Sequence, residues 1–207
     1  MSSSIPSSSS SSLGPAAASG GRLSVALVHH PVLNKFGDVQ TTALTNLDVH
    51  DLARSSRTYN CAACYLVTPI QAQIDQAHAI VGYWEGERGT SKNPDRADAM
   101  SRVRVVVAVD DAIAAETAVT GQRPLIVVTS ARPQGTVPYA HLRERLNNGA
   151  HALVLFGTGH GLADSVHALA DLVLAPIVGP ADDDGTFWNH LSVRSAAAII
   201  LDRLRGS

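Results

Sequence analysis

Three glycines at alternate positions form the part of the chain best suited to bind a ligand. Gly157, Gly159 and Gly161 lie in LFGTGHGL, within and directly after the apolar run ALVLFG. Glycine lets the backbone come close to a bound molecule and leaves N–H groups free to donate to it. A tight turn from strand to helix is the alternative, and the spacing alone leaves both interpretations open.

The position of this glycine loop limits the folds that could use it. In a conventional Rossmann fold the glycine-rich turn follows the first strand, and a ribose-binding carboxylate stands about 20 residues later. Only about 46 residues follow Gly161 here, which is enough for one more strand and one helix. The late position therefore disfavours a nicotinamide oxidoreductase of the Rossmann type.

We expect instead a cofactor pocket that several loops near the C-terminus form together. Thr129 and Ser130 follow the apolar run LIVV, and residues 177–179 end another apolar run. Asn189 or Ser192 can cap the final helix, whose first turn would offer free N–H groups to a ligand. The glycine loop, the two strand ends and this helix start would then enclose one site.

The other reactive side chains favour structural roles. Cys61 and Cys64 have the spacing of a redox or zinc motif, but no second pair accompanies them, so buried or half-buried thiols are expected. The nine histidines show no HxH or HExxH spacing, and no metal site is predicted. His29 and His30 could act in catalysis, and the acidic turn 182–184 could hold a metal or an acceptor. Hydrogen-bonded loop histidines and a solvated turn are the expected roles.

The elements that must position these residues follow an alternating pattern. Short β-branched apolar runs alternate with segments of helical period, which predicts an α/β domain over residues 23–207 with a mostly parallel six-stranded sheet flanked by helices. Predicted strands cover residues 23–28, 63–68, 103–109, 125–130, 152–157 and 174–179. Helical spacing extends over residues 70–84, 162–173 and 191–204. Residues 85–101 are predicted to form a surface loop.

Composition and charge limit location and partners. Residues 1–22 are rich in Ser, Gly, Ala and Pro and are predicted to form a disordered tail. No stretch reaches the roughly 18 apolar residues that cross a bilayer, and no signal peptide is recognised, so a soluble cytoplasmic protein is expected. The formal net charge of −2 argues against a surface dedicated to polyanions, so any RNA contact would be local or built from two subunits.

Three segments resemble a known family in their order along the chain. They are VALVHHPVLNKFGDVQTTALTNLDVHDLARSSRTYN, LFGTGHGL and NHLSVRSAAAIILDRL, at residues 25–60, 155–162 and 189–204. They closely resemble a bacterial group of SPOUT (trefoil-knot) RNA methyltransferases, which use S-adenosylmethionine (SAM) and occur alone or fused to tRNA guanine-N1 methyltransferase. The resemblance covers residues 23–205.

The resemblance implies a deep C-terminal trefoil knot, a homodimer, and tRNA or rRNA as the substrate. It also implies that SAM lies in the knot against three loops and the last helix, at Thr129, Phe156, Gly157, Gly159, Gly161, Ile177, Leu191, Ser192, Val193 and Ala196. His160 departs from the family, where a bulky residue such as Trp is expected. Methyl transfer from a sulfonium mainly requires an oriented acceptor and no metal.

The resemblance also points to Asp48 and Arg54. An acidic residue followed six positions later by an arginine is similar to the first motif of the SPOUT relatives that methylate 2′-hydroxyls. Asp48 is predicted to be a helix N-cap. Arginine keeps its proton, since its pKa exceeds about 12, and it cannot act as a general base. Arg54 would therefore hold a phosphate or the acceptor at a dimer interface, beside the partner's cofactor. A salt bridge with Asp48 or Asp51 is the structural alternative, and Asn46 and Asp48 are candidates for orienting the acceptor.

The leading hypothesis from the sequence is therefore a SAM-dependent RNA methyltransferase. The alternative is a catalytically silent knotted module that binds SAM or RNA. The sequence leaves open which nucleotide is modified, and whether a base nitrogen or a 2′-hydroxyl accepts the methyl group.

Overall fold

The computed structural model describes residues 20–131 and 135–206, and a six-stranded sheet lies at its centre. The strands of the described chain are β1 (Leu23–Val28), β2 (Val32–Leu33), β3 (Val39–Gln40), β4 (Cys64–Val67), β5 (Val103–Val106), β6 (Leu125–Thr129), β7 (Ala152–Gly157) and β8 (Leu172–Leu174). Every pairing in the sheet is parallel. Strands β2 and β3 form a separate antiparallel hairpin. The predicted parallel six-stranded sheet is confirmed.

Helices cover both faces of this sheet. They are α1 (Asn46–Thr58), α2 (Gln71–Glu85), α3 (Glu87–Lys92), α4 (Pro94–Met100), α5 (Val109–Thr120), α6 (Tyr139–Asn147), α7 (Asp164–His167) and α8 (Val193–Arg205). Apolar residues of α1, α2, α4, α6 and α8 share one core with alternate strand residues, and α5 and α7 pack on the opposite face. Such burial on both faces explains why the strands are almost continuously apolar.

The strand order and direction place the carboxyl ends of the C-terminal strands at one edge of the sheet. The strand order is β5-β4-β1-β7-β6-β8. The chain therefore adds β4 and β5 on one side of β1, and then places β6, β7 and β8 on the other side. Because all strands are parallel, the carboxyl ends of β6, β7 and β8 lie at the same edge. Ligands of open α/β sheets bind at this edge.

The last strand lies earlier than predicted. The prediction of residues 174–179 was wrong, because β8 covers Leu172–Leu174 and the chain then leaves the sheet. Pro176 explains the early end, since proline has no N–H to donate to a neighbouring strand and restricts the residue before it. Only residues 164–167 of the predicted 162–173 helix are helical. The following apolar residues enter β8 instead.

The predicted surface loop over residues 85–101 was also wrong, because this segment forms α3 and α4. Pro94 is the first residue of α4, where its missing N–H costs nothing, and Asn93 caps the helix by accepting from the Arg96 N–H. A Cβ on Gly89 would lie 2.4 Å from the Trp84 Cα. Glycine here serves close packing of α3 on the end of α2 and does not mark a loop.

The amino-terminal end of the sheet contains a buried carboxylate with four side-chain partners. Glu116 on α5 is fully buried and accepts from Arg22, Ser24, Tyr65 and His151, whose side-chain atoms lie 2.7 to 2.9 Å away at their closest. Burial alone would raise the pKa of Glu116, but these donors lower it from 4.5 to about 2. The carboxylate therefore ties α5 to β1, β4 and the start of β7.

Most of the predicted tail, residues 1–22, lies outside the described residues. Arg22 belongs to the folded domain through its ion pair with Glu116. Cys61 and Cys64 are buried free thiols, as predicted, and burial raises their pKa values to about 12 and about 11. In the part of the chain that the structure describes, no helix is long and apolar enough to span a membrane.

Candidate active site

A cleft opens at the carboxyl ends of β6, β7 and β8. It has a volume of about 760 Å³, and residues 129–131, 156–162, 175–177 and 189–193 contribute to its wall together with the first turns of α8. We refer to it as the C-terminal cleft. Its volume lies within the range of about 300 to 1,000 Å³ that is typical of pockets for small ligands.

The structure brings all ten predicted cofactor residues to this one cleft. They come from two strand ends, the glycine loop, the segment after β8 and the start of α8: Thr129, Phe156, Gly157, Gly159, Gly161, Ile177, Leu191, Ser192, Val193 and Ala196. These positions are up to 67 residues apart in sequence (Thr129 to Ala196). Their meeting follows from the parallel strand order.

The glycines of the loop are required by the turn itself. A Cβ on Gly157 would lie 2.8 Å from the Leu162 backbone nitrogen, and a Cβ on Gly159 would lie 2.9 Å from the Leu33 carbonyl oxygen. Gly159 and Gly161 also have φ angles of +61° and +110°, which side chains disfavour. The tight-turn interpretation therefore describes the glycines correctly, and the same turn forms a wall of the cleft.

The start of α8 leaves backbone donors available at the cleft. Ser192 is the N-cap, and its hydroxyl oxygen accepts from the Ser195 N–H at 3.2 Å. The N–H groups of Val193 and Arg194 donate to no acceptor within the described residues. The Gly159 N–H likewise has no partner among them. These groups could hold the acceptor atoms of a ligand.

Two hydrogen bonds fix the outer loops of the cleft. The Tyr139 hydroxyl on α6 donates to the Ala175 carbonyl at 2.6 Å, which holds the segment after β8. The Asn189 amide donates to the Ala131 carbonyl at 3.4 Å, which joins the two sides of the opening. Because Ser192 is the N-cap of α8, Asn189 does not cap this helix.

Asp48 has a structural position that differs from the prediction. Thr45 is the N-cap of α1, and Asp48 is the third helical residue, whose Oδ2 accepts from the Thr45 N–H and hydroxyl at 2.9 and 2.7 Å. Its Oδ1 accepts from Arg194 of α8 at 2.9 Å. The side chain is 6% exposed. Both oxygens are therefore occupied, and the carboxylate joins the first turns of α1 and α8.

Asn46 and Arg54 do not line the C-terminal cleft within one chain. Asn46 borders a separate groove between α1 and α2, together with His50, Tyr83 and Trp84. Arg54 is exposed on α1 and forms no hydrogen bond or ion pair within the described residues. The predicted alternative of a salt bridge to Asp48 or Asp51 is wrong, because Arg194 pairs with both carboxylates.

His29 connects the first strand to the glycine loop. Its ring is fully buried, and its Nδ1 lies 3.0 Å from the Thr42 hydroxyl, which in turn contacts the Thr158 hydroxyl at 2.5 Å. Thr158 donates to the Val28 carbonyl at 3.0 Å. Burial lowers the pKa of His29, although the charge of Asp48 opposes this effect. A neutral, inaccessible imidazole supports the loop and cannot contact a substrate.

Several polar side chains at the cleft were not predicted. Tyr139, Asp164, His167 and His190 all lie on its wall. Asp164 and His167 lie on α7, which follows the glycine loop closely in sequence. This closeness could have been used to predict that they border the cleft. Within residues 20–131 and 135–206, no group of three or more His, Cys, Asp or Glu side chains could hold a metal ion.

The lining suits a molecule with apolar and polar parts. Phe156, Ile177, Leu191 and Val193 provide apolar surface, while the free backbone N–H groups provide donors. SAM combines an adenine ring with ribose hydroxyls and a charged amino-acid end, so these residues fit it chemically.

Comparison with known proteins identifies the family. A model described as SAM-dependent RNA methyltransferase matches residues 22–206. This chain belongs to that family. The resemblance noted from the sequence is therefore confirmed, and SAM is the cofactor of the family to which the chain belongs.

Two relatives of this chain differ in how much of their own length the match covers. A tRNA (guanine-N(1)-)-methyltransferase of Oleidesulfovibrio alaskensis is 43% identical over 187 residues, which cover 90% of this chain and 43% of that protein. An uncharacterized protein of Aquifex aeolicus is 40% identical over 182 residues, which cover 87% of this chain and 86% of that protein. The chain thus spans less than half of the first relative.

Solved structures share the fold at low identity. A probable methyltransferase from Bordetella pertussis Tohama I has a TM-score of 0.59 at 16% identity, covering 90% of this chain and 94% of that one. The SpoU methyltransferase AviRb from Streptomyces viridochromogenes, crystallised with AdoMet, has a TM-score of 0.55 at 17% identity. The match covers 89% of this chain and 57% of that one. These similarities establish the α/β fold.

Proposed function

We propose that this chain transfers a methyl group from SAM to RNA in the cytoplasm. The observation that carries the proposal is the C-terminal cleft, which all ten residues selected from the sequence line. When bound there, SAM supplies an electrophilic methyl group. The residues of this chain would hold the cofactor, exclude water and orient the acceptor, which accounts for much of the rate in such a transfer.

We further propose that the segment from β8 to α8 forms the deep trefoil knot implied by the sequence. The packing of α8 against α1, α6 and β7 supports this proposal, as does the hydrogen bond from Asn189 to Ala131 across the cleft opening. A knot would hold the cleft walls together without a disulfide or metal. This would keep the backbone donors of α8 close to the glycine loop.

A homodimer would complete the site. Leu47 on α1 and Leu191 beside α8 are 57% and 45% exposed, and Arg54 is exposed without a partner within the described residues. We propose that these surfaces meet in a second copy, so that Arg54 reaches the partner's cleft and holds a phosphate or the acceptor. Arginine suits this role, since it keeps its charge and can bind a phosphate with two N–H groups.

Subunit complementation tests this arrangement. Arg54→Ala and Gly159→Val chains with different tags would be co-expressed, and the mixed dimer would be purified with both tags. A shared site predicts that each homodimer is nearly inactive, whereas the mixed dimer regains about half of the wild-type activity because one of its sites is complete. Failure to regain activity, with both variants folded and dimeric, would place Arg54 outside the partner's site.

The modified nucleotide is not fixed by the relatives. The chain matches 43% of the Oleidesulfovibrio protein, so the guanine-N1 activity named for that protein can belong to its other part. We therefore leave the acceptor as either a base nitrogen or a 2′-hydroxyl. Mass spectrometry of RNA nucleosides from strains with and without the gene would identify it.

Transfer of labelled methyl groups from SAM to RNA of the deletion strain tests the activity. The proposal predicts incorporation by the wild type and loss in Gly159→Val, checked for folding by thermal melting. A catalytically silent module remains the second candidate, because Asn46, Asp48 and Arg54 all lie outside the cleft of their own chain. SAM binding without incorporation into any RNA fraction would favour that module.

A further inference from the structure

The tip of the β2–β3 hairpin exposes an aromatic ring and a cation. Phe36 is 77% exposed, although only nine of the 207 residues are Phe, Trp or Tyr. The Lys35 ammonium lies 4.9 Å from the centre of the Phe36 ring. Lys35 and Lys92 are the two lysines of the chain. An exposed aromatic ring beside a cation is a surface that nucleic acids bind well.

The backbone of this tip is held in place despite its exposure. The Asn34 side-chain oxygen accepts from the N–H groups of Phe36 and Asp38 at 2.8 and 3.0 Å, and the Asn34 N–H donates to the Asp38 carbonyl at 2.9 Å. Gly37 completes the turn with a φ of +90°. A fixed backbone reduces the entropy lost on binding. The packing of the domain does not require this exposed phenylalanine.

The charges at the tip leave Lys35 available. The Asp38 Oδ2 accepts from the Asn34 amide at 3.1 Å, so this carboxylate is bound to the turn and not to Lys35. Lys35 forms no ion pair within the described residues. Its ammonium can therefore pair with an anion such as a phosphate.

The hairpin is attached directly to the C-terminal cleft. The Leu33 N–H donates to the Gly161 carbonyl at 2.8 Å, and the His160 N–H donates to the Leu33 carbonyl at 3.0 Å. Leu33 itself lies on the wall of the cleft. The exposed tip is therefore only two residues from a residue that lines the site.

We propose that the hairpin tip binds the RNA strand next to the methyl acceptor. Phe36 stacks on an unpaired base, and Lys35 contacts a phosphate of the same strand. This inference rests on the proposed function, since it names a contact for its RNA substrate. Single-stranded RNA is the matching partner because its bases can turn outward and stack on aromatic side chains.

Salt dependence of RNA binding separates the two contacts. Total RNA from the deletion strain would be bound to full-length wild type, Phe36→Ala, Phe36→Trp, Lys35→Gln and the matched control Lys92→Gln at several salt concentrations. Loss of one phosphate contact lowers the slope of log affinity against log salt by about 0.7. Lys35→Gln should show this change, and Lys92→Gln should not.

Loss of stacking should have a different signature. Phe36→Ala should weaken RNA binding and raise KM at least about fivefold, with an unchanged salt slope and unchanged SAM affinity, because one stacked base is worth about that much or more. Phe36→Trp should restore binding. If the active wild type and both tip variants have equal KM values and slopes, the inference is wrong.

Two controls distinguish RNA binding by the tip from a failure of the proposed function and from a dimer contact. If the wild type itself neither binds SAM nor methylates RNA, the proposed function fails, whatever the tip does. If Phe36→Ala or Lys35→Gln instead converts a dimer to monomers in sedimentation at micromolar concentration, the tip is a protein contact and the inference is overturned.

Discussion

Replacing Arg194 tests the connection between the cleft and helix α1. Arg194 donates to Asp48 at 2.9 Å and lies 3.4 Å from Asp51, with its own side chain 28% exposed and that of Asp48 6% exposed. Removing one partner of a fully buried pair costs about 3 to 5 kcal/mol, whereas an exposed pair is worth less than about 1 kcal/mol. This pair lies between the two cases, and Asp48 keeps its hydrogen bonds from Thr45.

We therefore expect Arg194→Gln to lower the free energy of unfolding by about 1 to 2 kcal/mol. In a domain of this size that corresponds to a fall in Tm of about 3 to 6 °C. Urea unfolding and thermal melting would measure it, and a double-mutant cycle with Asp48→Asn would isolate the pair. Asp51→Asn serves as the control and should show little coupling, since Asp51 is 44% exposed.

The same variants decide whether Asp48 is structural or catalytic. If Asp48 acts through the helix cap and Arg194, Asp48→Asn and Arg194→Gln should reduce SAM affinity to a similar extent, and the double variant should be little worse than either. Additive losses of stability would refute the coupling. A much larger loss of kcat in Asp48→Asn than in Arg194→Gln, at equal SAM saturation, would support the catalytic role predicted from the sequence.

Three further variants or reagents test other parts of the structure. Glu116→Gln should reduce the loss of stability that the wild type shows between about pH 5 and pH 2. The Glu116 carboxyl has a pKa of about 2 in the folded protein against 4.5 ordinarily, so its stabilisation is lost as acid protonates it. The same pH dependence of urea unfolding in variant and wild type would contradict this. Gly157→Ala should weaken SAM binding at least about tenfold by calorimetry, since a Cβ would lie 2.8 Å from the loop backbone, whereas the control Gly82→Ala, in open space on α2, should leave it unchanged. Cys61 and Cys64 should resist alkylation in the native protein, because burial raises both pKa values to about 11 or 12; rapid labelling detected by mass spectrometry would oppose it.

The sequence predicted the cleft well because its residues follow strands. Thr129, Gly157 and the start of α8 each come at the end of an apolar run or at a helix start, and a parallel sheet brings such positions to one edge. The strand direction was enough for these positions, whereas the full set of ten cofactor residues came from the family resemblance. Tyr139 was missed because it reaches the cleft from a helix, through a hydrogen bond to a loop 36 residues later.

The environment of α1 could be predicted only in part. The sequence Thr45-x-x-Asp48 is a capping-box pattern, so the cap could have been assigned to Thr45. The pairing of Asp48 with Arg194 joins residues 146 positions apart, and no local pattern specifies it. In the proposed dimer Arg54 would act on a second copy of the chain, and the periodicity of one helix cannot reveal such a contact.

A crystal structure with S-adenosylhomocysteine tests the central claim most directly. We predict ligand density between the glycine loop and the start of α8, in contact with backbone N–H groups of Gly159 and Val193, and a chain trace that passes through its own loop before α8. Density at another place, or a final helix that leaves the cleft open on an unthreaded sheet, would contradict the proposed site.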